Sequence, residues 1–161
     1  MFARLAVDGD VEAYVGLARL AVAESVRGRV GFKADKVRET FDAYLRAAHP
    51  TIFVVEQDRE LIGFLNASIN GYPFADGLFT AQEVLFVRPD KRGTRAAVLL
   101  MQAFVSWSDR LGALESTGGN DNGLLSEQTA KLLGRFGFER VGYFLRRVPG
   151  SEGGNEQKEQ R

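Results

Sequence analysis

A strand-to-helix junction near the middle of the chain constrains its fold more than any other stretch. From Ala81 to Met101, an apolar run ends at Val87, and good helix formers follow Thr94, which can cap a helix. Unpaired amides at a helix start, together with the helix dipole, attract anions. Four basic residues outnumber the single carboxylate of Asp90 here, namely Arg88, Lys91, Arg92 and Arg95. The junction therefore predicts a binding site for a phosphate group.

The composition excludes several other classes of protein. The chain has 161 residues, of which 45% are hydrophobic, and this favours one domain with a substantial core. Basic and acidic residues number 21 each, so no global charge recruits nucleic acid, which argues against a histone-like role. The absence of cysteine and the lone His49 exclude disulfides, thiolate chemistry and a His-rich zinc site, so we expect no metal.

Hydropathy along the chain and at its termini indicates the cellular localisation and the extent of the folded domain. No apolar run approaches the ~20 residues that span a bilayer, and the N-terminal residues lack the long apolar core of a secretion signal. We therefore expect a cytoplasmic protein. Residues 150–161 are polar, with no apolar residue to anchor them, and this predicts a disordered C-terminal tail after a domain over residues 1–149.

Apolar periodicity predicts the elements of the first half. Alternation favours a strand over residues 2–7 with Leu5 as its likeliest core residue, and helical spacing favours helices. β-Branched and aromatic runs joined by a short polar turn are typical of a hairpin. The predicted elements after the first strand are helices over 8–24 and 34–48 and paired strands over 51–56 and 61–69.

The second half predicts a long central helix and several short elements. Apolar residues recur at i, i+3 and i+4 from Ala96 to Leu111, and a glycine follows. We further predict strands over 113–117, 138–141 and 143–148, and a helix over 126–135. The turn-rich loop between Asn70 and Leu78 carries Tyr72 and Phe74, which either contact a substrate or cap the core.

Two motifs resemble one known family. The hexapeptide Arg92-Gly93-Thr94-Arg95-Ala96-Ala97 resembles the Arg/Gln-x-x-Gly-x-Gly/Ala motif of the GCN5-related N-acetyltransferases, the GNAT family, which cradles the pyrophosphate of acetyl-coenzyme A. Leu132-Leu-Gly-Arg-Phe-Gly-Phe resembles the family's Leu-Tyr-x-x-x-Gly-Phe segment, and the order of elements agrees. The resemblance implies a mixed α+β GNAT fold: a central twisted, mostly antiparallel sheet of about six or seven strands flanked by about four helices.

The resemblance also implies a function. GNAT proteins transfer an acyl group, usually acetyl, from acetyl-CoA to an amine on a small molecule or a peptide, and some form homodimers. The residues that match the cofactor site are Leu85, Phe86, Val87, Arg92, Gly93, Thr94, Arg95, Ala96, Ala97 and Asn120. Asn120 matches a pantetheine-contacting position, although it can equally serve only as a turn former. Arg95 replaces the motif's central glycine, so it either crowds the phosphates or adds a charged contact to them.

The form of the loop narrows the resemblance further. Together with Trp107 in the following helix, it resembles acetyltransferase-like proteins encoded by tailed phages, and such an origin implies the host cytoplasm.

Acyl transfer to an amine requires a group that accepts the amine's proton and a proton for the leaving thiolate. Glu83 is the only acid on the strand where the family often carries its base, and the alternative is a solvated carboxylate. Alternation places Glu83 on one face with Leu85 and Val87 unless a bulge intervenes, and GNAT strands commonly carry one here.

The proton donor is harder to assign. Leu133 stands where the family frequently has tyrosine, and Tyr143 is our candidate replacement, with core or rim packing as its alternative. Tyr72 and the Ser and Thr residues of 116–129 are further candidates for the proton donor. A thiol's pKa of about 8.5 also lets water or substrate supply the proton. Three functions therefore remain open: an active acyl-CoA-dependent N-acyltransferase, a catalytically degenerate GNAT-like structural or interaction module, and a phosphate or nucleic-acid binder. The neutral charge and the shortness of the basic run disfavour the third.

Overall fold

The computed structural model describes residues 1–47, 49 and 51–149. Within them the chain forms one five-stranded sheet in the order β1-β2-β3-β4-β5. The first three strand pairs are antiparallel, and β4 pairs with β5 in parallel. The strands are β1 (Phe2–Leu5), β2 (Ile52–Gln57), β3 (Glu60–Gly71), β4 (Leu78–Val87) and β5 (Glu115–Thr117), and the helices are α1 (Val11–Glu24), α2 (Ala34–Leu45), α3 (Ala96–Arg110) and α4 (Ser126–Gly134).

Helices cover both faces of the sheet. On one face, Phe64 of β3 packs into a cluster with Tyr14 of α1 and Phe41 of α2. On the other, the next residue of β3, Leu65, packs into a cluster dominated by α3, including Phe104. Successive strand residues point to opposite faces, so a sheet buried on both sides needs the continuous apolar runs seen in the sequence.

Most of the predicted elements are confirmed, including the hairpin, the central helix and the mixed α+β fold. Helix α2 ends at Leu45, earlier than predicted; Ala48, the predicted end, lies outside the described residues. The prediction that Leu5 is a core residue is wrong, because its side chain is 41% exposed. Ala6 fills the core there instead, packing with residues of α1.

The predicted strands over 138–141 and 143–148 are not formed, so the described chain has five strands rather than six or seven. Side-chain contacts hold this segment: Arg140 pairs with Glu127, and Arg146 donates to the carbonyl of Val26. Phe138 packs part-buried against the core, whereas Val141, Tyr143, Phe144 and Leu145 lie in solvent, with Tyr143 85% exposed. β Propensity reflects packing against strand neighbours, and none of the five strands pairs with residues 138–147 in the part of the chain described. The predicted tail over 150–161 lies outside the described residues.

The sheet opens at its β5 edge. β4 and β5 pair only from Phe79 to Ala81, whereas β4 pairs with β3 along its whole length. A buried hydroxyl cluster fastens the paired part, since Thr80 Oγ1 lies 2.7 Å from Ser108 Oγ and 2.8 Å from Ser116 Oγ. Beyond it the two chain segments diverge and leave a cleft. Among the described residues, no helix combines the length and apolar character needed to cross a membrane.

Candidate active site

A cleft of about 280 Å³ lies where β4 and β5 separate. Residues 82–87 of β4 form one wall, and the loop 119–125 faces them. The C-terminal end of α1, the α1–α2 connection and Arg92 close its remaining sides. Among the described residues, 82–87 pair only with β3, so their other backbone edge faces the cleft without a strand partner there. An extended ligand can hydrogen-bond to such an edge.

A β-bulge sets the direction of Glu83. Asn66 pairs with Val84 while Ala67 pairs with Gln82, which leaves Glu83 as the extra residue. Its carboxylate lies on the α1 and α2 side of the sheet, where it accepts a hydrogen bond of 3.1 Å from Tyr44 Oη. Without the bulge, strict alternation would place it on the α3 side with Leu85 and Val87. The bulge therefore directs the exposed carboxylate of Glu83 toward the mouth of the cleft.

Tyr44 is a site residue that sequence reasoning missed. Burial and the neighbouring charge of Glu83 raise its pKa, so its hydroxyl remains protonated and donates to the carboxylate. Beneath this pair, Asn66 Nδ2 donates to Tyr14 Oη over 2.7 Å, and burial raises the pKa of Tyr14. Tyr44 and Glu83 are 39 residues apart in sequence, so no local motif predicts their contact.

The predicted phosphate loop precedes α3. Gly93 has a φ of +78°, a conformation that L side chains rarely adopt, and no atom lies within 4 Å of the position of an added Cβ. Thr94 Oγ1 accepts a 3.3 Å bond from the Ala96 N–H, as a cap does. In the described part of the chain, the N–H groups of Gly93, Thr94 and Arg95 have no hydrogen-bond partner. Open space and free donors at a helix start fit the pyrophosphate of coenzyme A.

The basic residues of the loop differ in their surroundings. Arg88 bonds to Asp90 at 2.7 Å and to Glu60 at 3.5 Å, and it lines a different groove on the surface. Arg92 donates from Nε to the Val87 carbonyl over 3.1 Å and forms an ion pair with Glu24 of α1. Arg95 has no side-chain partner among the described residues. Of these three arginines, Arg95 is thus the one whose side chain is unengaged beside the free amides.

On the opposite wall, Asn120 holds a turn together. Its amide donates to the Leu124 carbonyl and to Thr129 Oγ1 at 3.3 Å, and its Oδ1 accepts from the Asn122 N–H at 3.0 Å. These contacts match the turn-forming alternative considered for this residue. Asn120 also lines the cleft, so its position remains compatible with a ligand contact.

The structure brings no tyrosine to the place where the family motif has one. Leu133 is 4% exposed, and its Cδ2 would lie 2.9 Å from a Cβ added to Gly118. Tyr143 lies on the exposed segment 138–148, outside the set of residues that line the cleft. Tyr72 packs against Phe74 and Phe79 near the other end of β4. Within the described ranges, no group of three or more His, Cys, Asp or Glu side chains could hold a metal ion.

Comparison with known proteins shows the family of the chain. The model of the acetyltransferase (GNAT) family matches residues 29–138, more than half of the chain. A search of curated proteins found no match. Many solved structures are similar, all of those cited here below 25% identity, so they show a shared fold alone.

One of them is a transcriptional regulator from Bacillus halodurans, with a TM-score of 0.74 and 16% identity, which covers 91% of this chain and 97% of its own. A second is AAC(6')-Iy, solved in complex with the bisubstrate analogue CoA-S-monomethyl-acetylneamine. It has a TM-score of 0.68 and 24% identity, over 91% of this chain and 97% of its own. A third is a ribosomal-protein-alanine N-acetyltransferase from Brucella melitensis, with a TM-score of 0.69 and 14% identity, over 92% and 100%.

Proposed function

Because the chain belongs to the acetyltransferase (GNAT) family, we propose that it transfers an acetyl group from acetyl-CoA to an amine acceptor. The observation that carries this proposal is one cleft that holds the unpaired edge of β4, the bulged Glu83 and Arg92. The free amides before α3 directly follow Arg92 in the chain.

The chain's own groups are suited to hold the co-substrate. The backbone edge at Leu85, Phe86 and Val87 pairs with the pantetheine arm, and the loop from Arg92 to Ala97 takes the pyrophosphate. Arg92 and Arg95 add positive charge there, and Asn120 lies across the cleft. When bound, acetyl-CoA supplies an activated thioester carbonyl at the mouth of the cleft.

Glu83 accepts the proton that the acceptor amine must lose, directly or through one water molecule. The bulge and the hydrogen bond from Tyr44 hold its carboxylate toward the mouth. As the new N–C bond forms, the C–S bond breaks and the thiolate leaves. Its proton comes from water or the acceptor, because Leu133 carries no acidic group and Tyr143 lies outside the cleft lining.

The acceptor is an amine of a small molecule or of a peptide. The structures of an aminoglycoside N-acetyltransferase and a ribosomal-protein-alanine N-acetyltransferase on the same fold support both classes. We assign the activity to a single domain over residues 1–149, working in the cytoplasm.

A second candidate function is a catalytically degenerate GNAT-like structural or interaction module that binds coenzyme A weakly or not at all. Two observations favour it: Leu133 replaces the usual tyrosine, and Arg95 replaces a glycine of the phosphate loop. The two candidates differ in turnover and in affinity for coenzyme A.

The test is a panel of small amines, aminoglycosides and peptides incubated with acetyl-CoA and the protein, with free coenzyme A thiol as the readout. We expect release that depends on the acceptor, on the protein and on Glu83. Acetyl-CoA binding without turnover of any acceptor would favour the module. Absence of acetyl-CoA binding would exclude the enzyme and favour the module.

A further inference from the structure

The C-terminal end of α1 places a carboxylate at the predicted phosphate site. Glu24 is the last residue of α1, and its Oε1 pairs with the terminal guanidinium nitrogen of Arg92. Both side chains are part-buried, at 25% and 33% exposure, and both line the cleft. The pair links two elements 68 residues apart in sequence.

The rest of Arg92 is held independently of Glu24. Its Nε donates to the Val87 carbonyl over 3.1 Å, and its guanidinium carbon lies 5.9 Å from the centre of the Phe86 ring. Arg92 is thus anchored to β4 by one edge of its fork while the other edge engages an anion. A carboxylate and a phosphate oxygen are alternative partners for the same guanidinium edge.

We infer that Glu24 is an internal anion that occupies the Arg92 guanidinium and is displaced by the pyrophosphate of the co-substrate. This inference rests on the proposed function, because it names the residue that sets the affinity of that same site. Two unfavourable contributions follow from Glu24: the ion pair must break, and its negative charge then lies near the phosphates. Glu24 therefore weakens cofactor binding and speeds product release.

Calorimetric titration with acetyl-CoA and S-acetylpantetheine tests the exchange, using wild type, Glu24→Gln, Arg92→Ala and the double variant. Glu24→Gln should bind acetyl-CoA about two- to tenfold more tightly, because a part-exposed ion pair is weak and the loss of repulsion adds to it. S-Acetylpantetheine, which has no phosphate, should bind both proteins equally. In the Arg92→Ala background, the further change Glu24→Gln should raise acetyl-CoA affinity by less than it does in the wild-type background, since only the repulsion between Glu24 and the phosphates remains to be relieved.

Glu60→Gln is the matched control. It also removes one carboxylate from an arginine of the same loop, Arg88, but that pair faces a different groove. It should leave acetyl-CoA affinity unchanged. A gain from Glu60→Gln equal to that from Glu24→Gln would overturn the inference, because net charge alone would then explain both.

The outcomes separate this inference from the proposed function. Wild-type binding of acetyl-CoA with equal or weaker binding by Glu24→Gln overturns the inference and leaves the proposed function standing. Binding by Glu24→Gln alone supports the inference in its strongest form. Failure of both proteins to bind overturns the inference together with the proposed function.

Discussion

The two halves of β4 differ in what holds them. Residues 79–81 have strand partners on both sides, and Thr80 is fully buried with its hydroxyl bonded to Ser108 and Ser116. Residues 82–87 have β3 on one side and the cleft on the other, and they include the bulge at Glu83. One continuous strand thus changes from a structural element to a binding surface at Ala81. We infer that the first half contributes stability and the second contributes function.

The largest expected effect tests the function of the open half. Glu83→Gln keeps the size of the side chain but removes its capacity as a base, so kcat/KM should fall by about 10²- to 10⁴-fold. Acetyl-CoA affinity should stay the same. Raising the pH should restore part of the rate, because an amine that is already neutral no longer needs the carboxylate.

The pH series also distinguishes the alternative role of Glu83. If the Glu83 carboxylate only positions the acceptor, the decrease in kcat/KM caused by Glu83→Gln should be independent of pH. Turnover by Glu83→Gln at the wild-type rate across the pH range would show that Glu83 is structural. The second half of β4 would then contribute no catalytic group.

Arg95 tests the phosphate loop at the end of the open half. Its side chain has no partner among the described residues and adjoins free amides, so we expect it to contact a phosphate. Arg95→Ala should then weaken acetyl-CoA binding by about 1.5–3 kcal/mol, the scale of a hydrogen bond to a charged group. Arg88→Ala is the control, because Arg88 is bonded to Asp90 and lines another groove.

Arg95→Gly restores the residue found in the family motif and completes this test. If the arginine side chain contacts the phosphates, the glycine variant should bind acetyl-CoA as weakly as the alanine variant. Tighter binding by Arg95→Gly would mean that the side chain obstructs the site. Equal affinity in all three proteins would place the guanidinium in solvent.

The paired half is probed by Thr80→Val, which keeps the shape of the side chain but leaves the hydroxyls of Ser108 and Ser116 without their shared partner. Loss of a buried hydrogen-bond partner costs about 1–3 kcal/mol, so the free energy of unfolding in urea should fall by that amount. The dissociation constant for acetyl-CoA should not change at a temperature where the variant is folded. If Thr80→Val leaves the stability unchanged but alters acetyl-CoA affinity, the first half of β4 contributes to binding rather than to stability, which contradicts the proposal.

The smallest expected effect concerns the opposite wall of the cleft. The hydrogen bond and charge of Arg27 hold the pKa of Asp121 below its ordinary value. A carboxylate with a lowered folded pKa contributes stability above its unfolded pKa of about 3.9, and this contribution is lost as the pH falls through the folded pKa. The pair is part-exposed, so Asp121→Asn should cost at most about 1 kcal/mol at pH 7.

Urea unfolding of wild type and Asp121→Asn from pH 7 to pH 3 checks this sign. The difference in the free energy of unfolding should shrink toward acid pH. A difference that is constant with pH would show that the Arg27 pair does not stabilise the folded protein.

The sequence was informative where structure depends on local pattern. The helix periodicity, the hairpin and the strand-to-helix junction at Val87 to Ala96 are local features, and each appears in the structure. The prediction of strands over 138–141 and 143–148 was wrong because strand formation needs a neighbouring strand edge, which propensity does not supply. The prediction that Leu5 is a core residue was wrong because alternation alone does not show how far α1 covers an edge strand.

The site was predictable in its parts but not in its connections. The resemblance to the GNAT family predicts Glu83 and the loop from Arg92 to Ala97 as parts of the site. The contacts from Tyr44 to Glu83 and from Glu24 to Arg92 join residues 39 and 68 positions apart, so only the fold reveals them. The direction of Glu83 also required the bulge, whose register is set by pairing with β3.

The most direct test of the account is to compare the two halves of β4 by amide NMR during titration with acetyl-CoA. We expect saturable shifts and slower hydrogen exchange for residues 82–87 and for the amides of Gly93 to Arg95, with little change at residues 78–81. At about 100 times the dissociation constant, the ligand should also raise the free energy of unfolding by about 2.7 kcal/mol. No response at millimolar acetyl-CoA, or a response confined to the groove beside Arg88, would contradict the claim that the open half of β4 is the cofactor site.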